Sequence, residues 1–243
     1  MDQSVACQWS YATLQYWTTF RHHLTAYSSK VAFEDFDEDG INKFIAFLRV
    51  KRGLEEKTVQ KQFNSLKWFL NWAIRKGYCK EDYINRYCPK FKILEKPVIF
   101  LTKEELLRLY TYKIPTNGTE VTLTDFNGDQ YTKKVQEAGA LQKTRDMFCF
   151  CAFTSLRYSD MAKLKKSDVQ GDHIYITTQK TNDRLPIDLN SFAKEILEKY
   201  EEENIAGGLA LPVISNQKMN HYLKDLCELC GFNDAITRVC YRA

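Results

Sequence analysis

Thr154-Ser155-Leu156-Arg157-Tyr158-Ser159-Asp160 is the stretch of this chain best equipped for chemistry, with Leu164, Asp168 and Lys180 downstream. It places one arginine at the mouth of a helix N-terminus, directly after an apolar helix. A guanidinium held there can fork two hydrogen bonds onto a phosphate, which suits a charge that must be gripped in fixed geometry. Asp160 falls in the first turn of the following helix, where an acid favours the macrodipole in any protein. Lys180, in Gln179-Lys180-Thr181-Asn182, lies at the tip of an expected hairpin and is by itself ordinary surface.

The elements around these groups follow from periodicity. Lys143 leads into Met147, Phe148, Phe150, Cys151 and Phe153, hydrophobic almost all round, which predicts a central core helix before the arginine. After it, residues 173–178 alternate, 179–184 predict a turn, and Leu185, Ile187 and Leu189 alternate back. Helices are expected at about 191–203 and 216–230, separated by Gly207-Gly208 and Pro212. Upstream, Thr102 and Glu105 form a capping-box pattern that opens a helix. From Thr111 to about Gln142 the helical period is lost, and Val121-Thr122-Leu123 with the Asn127-Gly128 turn predicts an inserted loop or hairpin.

The first third reads as helices. Leu14, Trp17, Phe20, Leu24 and Tyr27 form one stripe from Tyr11 to Tyr27, and acidic residues at 35, 37 and 39 precede Ile41, Phe44, Ile45 and Leu48. Gly53 breaks that helix, and Thr58 is the expected N-cap of the next. There Val59, Phe63, Leu66, Leu70 and Ala73 line one face until Gly77; a short helix near Tyr83 ends at Cys88-Pro89. Pro89 to Pro97, with three lysines between prolines, predicts an extended linker. The boundary is set there, giving expected domains 1–96 and 97–243.

Charge is unevenly spread. Residues 49–96 hold thirteen Lys/Arg against five Asp/Glu, a local net of +8; with the whole chain at +4, the remainder carries −4. A basic block on such a background points to a polyanion. On the helix after Gly53, Lys61, Asn64, Lys67, Asn71 and Arg75 fall opposite the apolar stripe, and Lys57, just before the expected cap, is counted with them as a DNA contact. They form a ridge suited to a groove and its flanking phosphates. The asparagines add groups able to reach base edges or phosphate oxygens.

Composition closes other classes. At 44% hydrophobic residues there is material for a real core, but no run of 18 uncharged apolar residues for a membrane span. Residues 1–10 lack a secretory signal, so a cytoplasmic protein is expected. The eight cysteines are scattered, as reduced thiols would be. Cys227 and Cys230, with His221 and Cys240, have nominal zinc-ligand chemistry. Their setting in an amphipathic helix favours buried thiols instead, so no metal or other cofactor is expected.

The arginine motif, the hairpin lysine and the helical N-terminal bundle together resemble the tyrosine recombinases of the phage-integrase family, especially mobile-element integrases of Bacteroides-like bacteria. The resemblance covers nearly the whole chain. It implies a mainly α fold with a small β-hairpin or sheet: an all-helical SAM-like core-binding domain, then a partial α+β catalytic domain. The two would close as a clamp on double-stranded DNA, and the full-length family assembles as a synaptic tetramer. Such enzymes cut one strand with a tyrosine hydroxyl and leave a 3′-phosphotyrosyl link, using positive side chains rather than a metal.

The implied roles transfer only where residues match. Arg157 would clamp the non-bridging oxygens of the scissile phosphate, with Ser155 where relatives commonly carry glycine. Asp160 would buttress the site, and Lys180 would protonate the departing 5′-oxygen. The family's His-x-x-Arg box has no counterpart: none of His22, His23, His173 and His221 has arginine three residues on. Tyr241 precedes the expected box and is not assigned as nucleophile. The expectation is therefore the N-terminal part of a site-specific recombinase, without the box, the tyrosine or a separate arm-binding domain, which binds DNA but does not cleave it. The alternative is a non-catalytic DNA-binding remnant or competitor of a recombinase. A third reading is a helical protein with a nucleic-acid face and no phosphate chemistry.

Overall fold

A computed structural model describes residues 9–80, 82–95, 100–125, 127–178 and 184–232. It divides into two compact units, Met1–Lys96 and Pro97–Ala243.

The first unit is helical. α1 (Tyr11–Tyr27) is capped by Ser10, whose side chain accepts from the Thr13 amide. α2 (Glu38–Ala46) is capped by Asp37 in the same way and runs into a π-helical turn over Phe47–Lys51. α3 (Glu56–Arg75) and the short α4 (Tyr83–Arg86) complete it. The core is one cluster that includes Phe20, Ile41, Phe44, Leu48, Val59, Leu66, Leu70 and Ile84. Thr58 is not the cap of α3. The cap lies three residues earlier, at an extended Glu55, because Glu56 meets a bidentate partner: Arg49 Nε and Nη2 reach its carboxylate at 2.6 and 2.9 Å. That hydrogen-bonded guanidinium holds the Glu56 carboxyl below its ordinary pKa. His23 is buried against Arg52, whose Nε donates to its Nδ1 at 3.3 Å; burial first, then that charge, lowers its pKa.

The second unit mixes helices with two small antiparallel sheets. α5 (Lys103–Thr111) starts with the capping box at Thr102 and Glu105. β1 (Glu120–Thr124) and β2 (Gln130–Lys134) form a hairpin. α6 (Ala138–Thr154) begins five residues before the expected Lys143. Ala138, Gly139 and Ala140 carry too little side chain to display a helical period. α7 (Tyr158–Met161) is a single turn. A short β3 (Val169–Gln170), not foreseen, pairs with β4 (His173–Thr177), which pairs with β5 (Arg184–Asp188). Ile174 faces Ile187 and Ile176 faces Leu185 across that register, with Ile174 and Ile176 buried and Tyr175 outward. Arg184 is thus the first strand residue rather than part of the turn. α8 (Ser191–Lys199) stops four residues before the expected end, and α9 (Asn216–Leu229) follows.

Cys149, Cys227 and Cys230 are buried, and burial raises the Cys230 thiol to about 11. Cys88 is exposed; it follows α4 in the segment leading to the linker. Cys240 lies outside the described residues. Among the described residues no cluster of three metal-ligating side chains forms, and no helix is long and apolar enough to cross a membrane.

The second unit is organised on α6. Asp146, 1% exposed, accepts from Arg145 Nε and Nη2 at 3.0 and 2.8 Å and from the Tyr200 hydroxyl at 2.7 Å, and it also binds Lys199. Arg145 Nη1 continues to the Tyr112 carbonyl at 2.6 Å. One carboxylate therefore ties α6 to the end of α8, and Arg145 extends the tie to the segment after α5. Asp146→Ala leaves cations without their acceptor, and unfolding by urea should show a loss of about 3 kcal/mol or more. A loss below about 1 kcal/mol would mean that the network is dispensable.

Candidate nucleic-acid interface and phosphate site

In the second unit, helix α6 delivers the arginine motif. Its last residue, Thr154, is buried, and its hydroxyl donates to the Phe150 carbonyl at 2.7 Å. Ser155 then turns left-handed, at φ 59° and ψ 17°. Leu156 is buried and anchors the turn, so that Arg157, the N-cap residue of α7, comes out exposed. The Arg157 carbonyl accepts from the amides of Asp160 and Met161 at 3.0 and 2.9 Å, which fixes the backbone beneath the side chain. Among the described residues its guanidinium has no hydrogen-bond or ion-pair partner. A charge-bearing fork is thus mounted on a rigid, buried support and left open.

Asp160 is 3% exposed and belongs to the support. Next to it, burial and then the Asp160 charge push the Cys151 thiol up to about 12, so this cysteine is not a nucleophile at neutral pH. The Tyr158 hydroxyl donates to the Ile214 carbonyl at 2.5 Å, tying α7 to the approach to α9. Arg157 borders a cleft of about 430 Å³ whose polar groups include Asn216 and Asn220 of α9, neither foreseen in the sequence. A second cleft, on the Asp160 side, carries the exposed Lys163 and Lys165 beside Tyr175 and Thr177 of β4. Those lysines sit within eight residues of Arg157, the one signal that would have found them. Lys180 lies outside the described residues; the strands flanking it end at the paired Thr177 and Arg184.

In the first unit, α3 presents the expected basic face. Lys57, Lys61, Asn64 and Arg75 are exposed and Lys67 is half-buried. None of the four cations has an ion-pair partner among the described residues. Arg49, by contrast, is spent on Glu56. Asn71 already shares its amide with Asn85, which reaches back at 2.6 Å and also holds Asp82. Trp68 was missed: it lies seven residues from both Lys61 and Arg75, on the same line of the helix, and is 40% exposed.

Residues 2–93 match the phage integrase SAM-like domain. Solved structures extend the likeness to both units. A lambda integrase dimer bound to a COC′ core site superposes with a TM-score of 0.68 at 14% identity, over 95% of this chain and 61% of that one. A lambda integrase tetramer bound to a Holliday junction gives 0.68 at 15% identity, over 98% of this chain and 68% of that one. Residues 75–356 of lambda integrase bound to DNA give 0.64 at 15% identity, over 93% and 74%. The fold is therefore that of an integrase core-binding domain, here the SAM-like domain, with a catalytic domain. The chain spans about 61% of the length of the integrase in the dimer complex. No curated protein matches it in sequence.

The left-handed Ser155 is a measurable strain. An L-residue there costs about 1–2 kcal/mol, of which glycine's extra freedom in the unfolded chain offsets about half. Ser155→Gly should therefore stabilise the second unit by about 0.5–1 kcal/mol in urea unfolding. Arg157→Ala, which removes no described contact, should stay within about 0.5 kcal/mol of the parent.

Proposed function

We propose that this chain is part of a site-specific tyrosine recombinase, the integrase of a mobile element of the Bacteroides type, acting on double-stranded DNA in the cytoplasm. The SAM-like domain grips the duplex through Lys57, Lys61, Asn64, Lys67, Asn71 and Arg75 of α3. In the second unit Arg157 clamps the scissile phosphate, Asp160 supports it, and Lys180 serves as the acid for the departing 5′-oxygen. Full-length partners meet as a tetramer on paired sites.

The observation that carries this reading is Arg157: a guanidinium with no partner among the described residues, on a turn anchored by the buried Leu156, in a fold shared with integrases that were solved on DNA. A phosphate is the natural complement, because the planar fork accepts two oxygens of one group and would otherwise be an exposed charge with a rigid mount. No histidine of the 243 residues precedes an arginine by three, so the second cation of the site is not supplied by a box of that form within them. Transition-state charge would be only partly met by Arg157 and Lys180.

Two measurements test the proposal. Binding of the 243-residue chain to a short duplex should weaken with salt, and neutralising Lys61, Lys67 or Arg75 to Gln should each reduce the log-affinity against log-salt slope by about 1. Slopes that do not move would remove α3 from the interface. On a nicked duplex, a denaturing gel should show no covalent protein–DNA adduct from this polypeptide, because cleavage requires a positioned nucleophile. An adduct would overturn the expectation that this polypeptide binds without cleaving and would place a nucleophile within the 243 residues.

A further inference from the structure

We propose that Trp68 is a non-ionic DNA contact, its exposed indole edge packing on the sugar–base edge of a duplex whose phosphates are held by Lys61 and Arg75. The inference rests on the DNA-binding reading above and adds a residue to it.

Three observations converge on this side chain. Lys61, Trp68 and Arg75 repeat every seven residues, so they lie on one line of α3, spanning about 21 Å with the indole at its middle. The indole is also held in place. Its ring lies 4.8 Å from Trp17 and 6.0 Å from Trp9, centroid to centroid. Trp17 packs edge-on against the buried Phe20 at 5.6 Å. α1 is in turn fastened to α3 where the Tyr16 hydroxyl donates to the Lys61 carbonyl at 2.9 Å and also meets Ser65. A ring fixed by its neighbours loses little rotamer freedom on binding, which makes it a low-cost contact.

The third observation identifies the occupant. The apolar surface at Trp68 is a small aromatic patch, the exposed indole backed by the half-buried Trp9 and Trp17, and on α3 it lies between cations that have no partner among the described residues. An apolar protein helix laid across it would have to desolvate Lys61 and Arg75 without compensation, a cost of several kcal/mol per buried charge. A duplex has the opposite pattern: anionic rails flanking a groove whose floor carries sugar edges and thymine methyl groups. Cations on the rails and a neutral ring over the groove match it in both charge and order.

The test uses the full chain, a fluorescein-labelled duplex of mixed sequence, and anisotropy across a salt series. Trp68→Ala should lower affinity about five- to tenfold at every salt concentration while leaving the salt slope unchanged, since no counterion is released by an indole. Trp68→Phe keeps an aromatic ring against Trp17 and guards against a folding defect. With an unlabelled duplex, the native chain's tryptophan emission should change on binding, and Trp68→Phe should lose most of that change. Unaltered affinity in Trp68→Ala, or an emission change that survives in Trp68→Phe, overturns the assignment even where Lys61→Gln and Arg75→Gln reduce the slope. If instead Trp68→Ala alters only concentration-dependent self-association in sedimentation, the ring serves a second copy of the chain. No affinity of the native chain for duplex at all would remove the DNA reading and this inference together.

Discussion

The carboxylate of Asp146 is the point on which the second unit turns. It lies inside the protein with a guanidinium, an ammonium and a phenol directed at it. Burying an isolated carboxylate is so costly that the fold is committed to keeping all its donors in place. Those donors come from α6 itself, the last residue of α8 and the residue after it, so the network sets the rotation of α6. The arginine motif begins at the last residue of that helix. Three residues beyond its end, Arg157 inherits this orientation through the Ser155 turn and the Leu156 anchor. Burial and the bond to Asp146 raise the Tyr200 hydroxyl above its ordinary pKa, so it remains a donor throughout the physiological range.

Support and exposure are divided cleanly between neighbouring side chains. Leu156 and Asp160 face inward, whereas Arg157 between them faces solvent. The same division occurs on α3, where Val59, Phe63, Leu66, Leu70 and Ala73 fill the core and the opposite arc carries the cations. In the first unit the energy that fixes the cation geometry is apolar burial; in the second, apolar burial acts together with the Asp146 network. The cations themselves contribute little to stability, because exposed charges without partners are nearly neutral in folding.

Much of this was legible in the sequence. The stripe from Leu14 to Tyr27, the capping box at Thr102 and Glu105, and the alternation at 173–177 all appear where periodicity put them, since each is a local pattern with a local cause. The start of α6 was hidden because Ala138-Gly139-Ala140 offers no side chains to count. Thr58 was the wrong cap because the decisive partner, Arg49, is seven residues away from Glu56 on another element. Trp68 was overlooked because an aromatic residue in a helix is read as core by default, and only burial distinguishes the exceptions. Asn216 and Asn220 could not have been foreseen: about sixty residues separate them from the arginine whose cleft they share.

The hairpin of β1 and β2 carries one further consequence. Lys133 donates to Asp225 of α9 at 2.7 Å and also binds Glu228 there, partners more than ninety residues away in the chain. An ammonium shared by two carboxylates at that separation closes a very long loop. During synthesis, α6 with its buried face would leave the ribosome well before α9 arrived to cover it. The first unit, built from contacts within fewer than a hundred residues, has no such wait. Contact order therefore puts assembly in sequence: the helical bundle can close on its own contacts, while the second unit must wait for its last described helix to reach the hairpin.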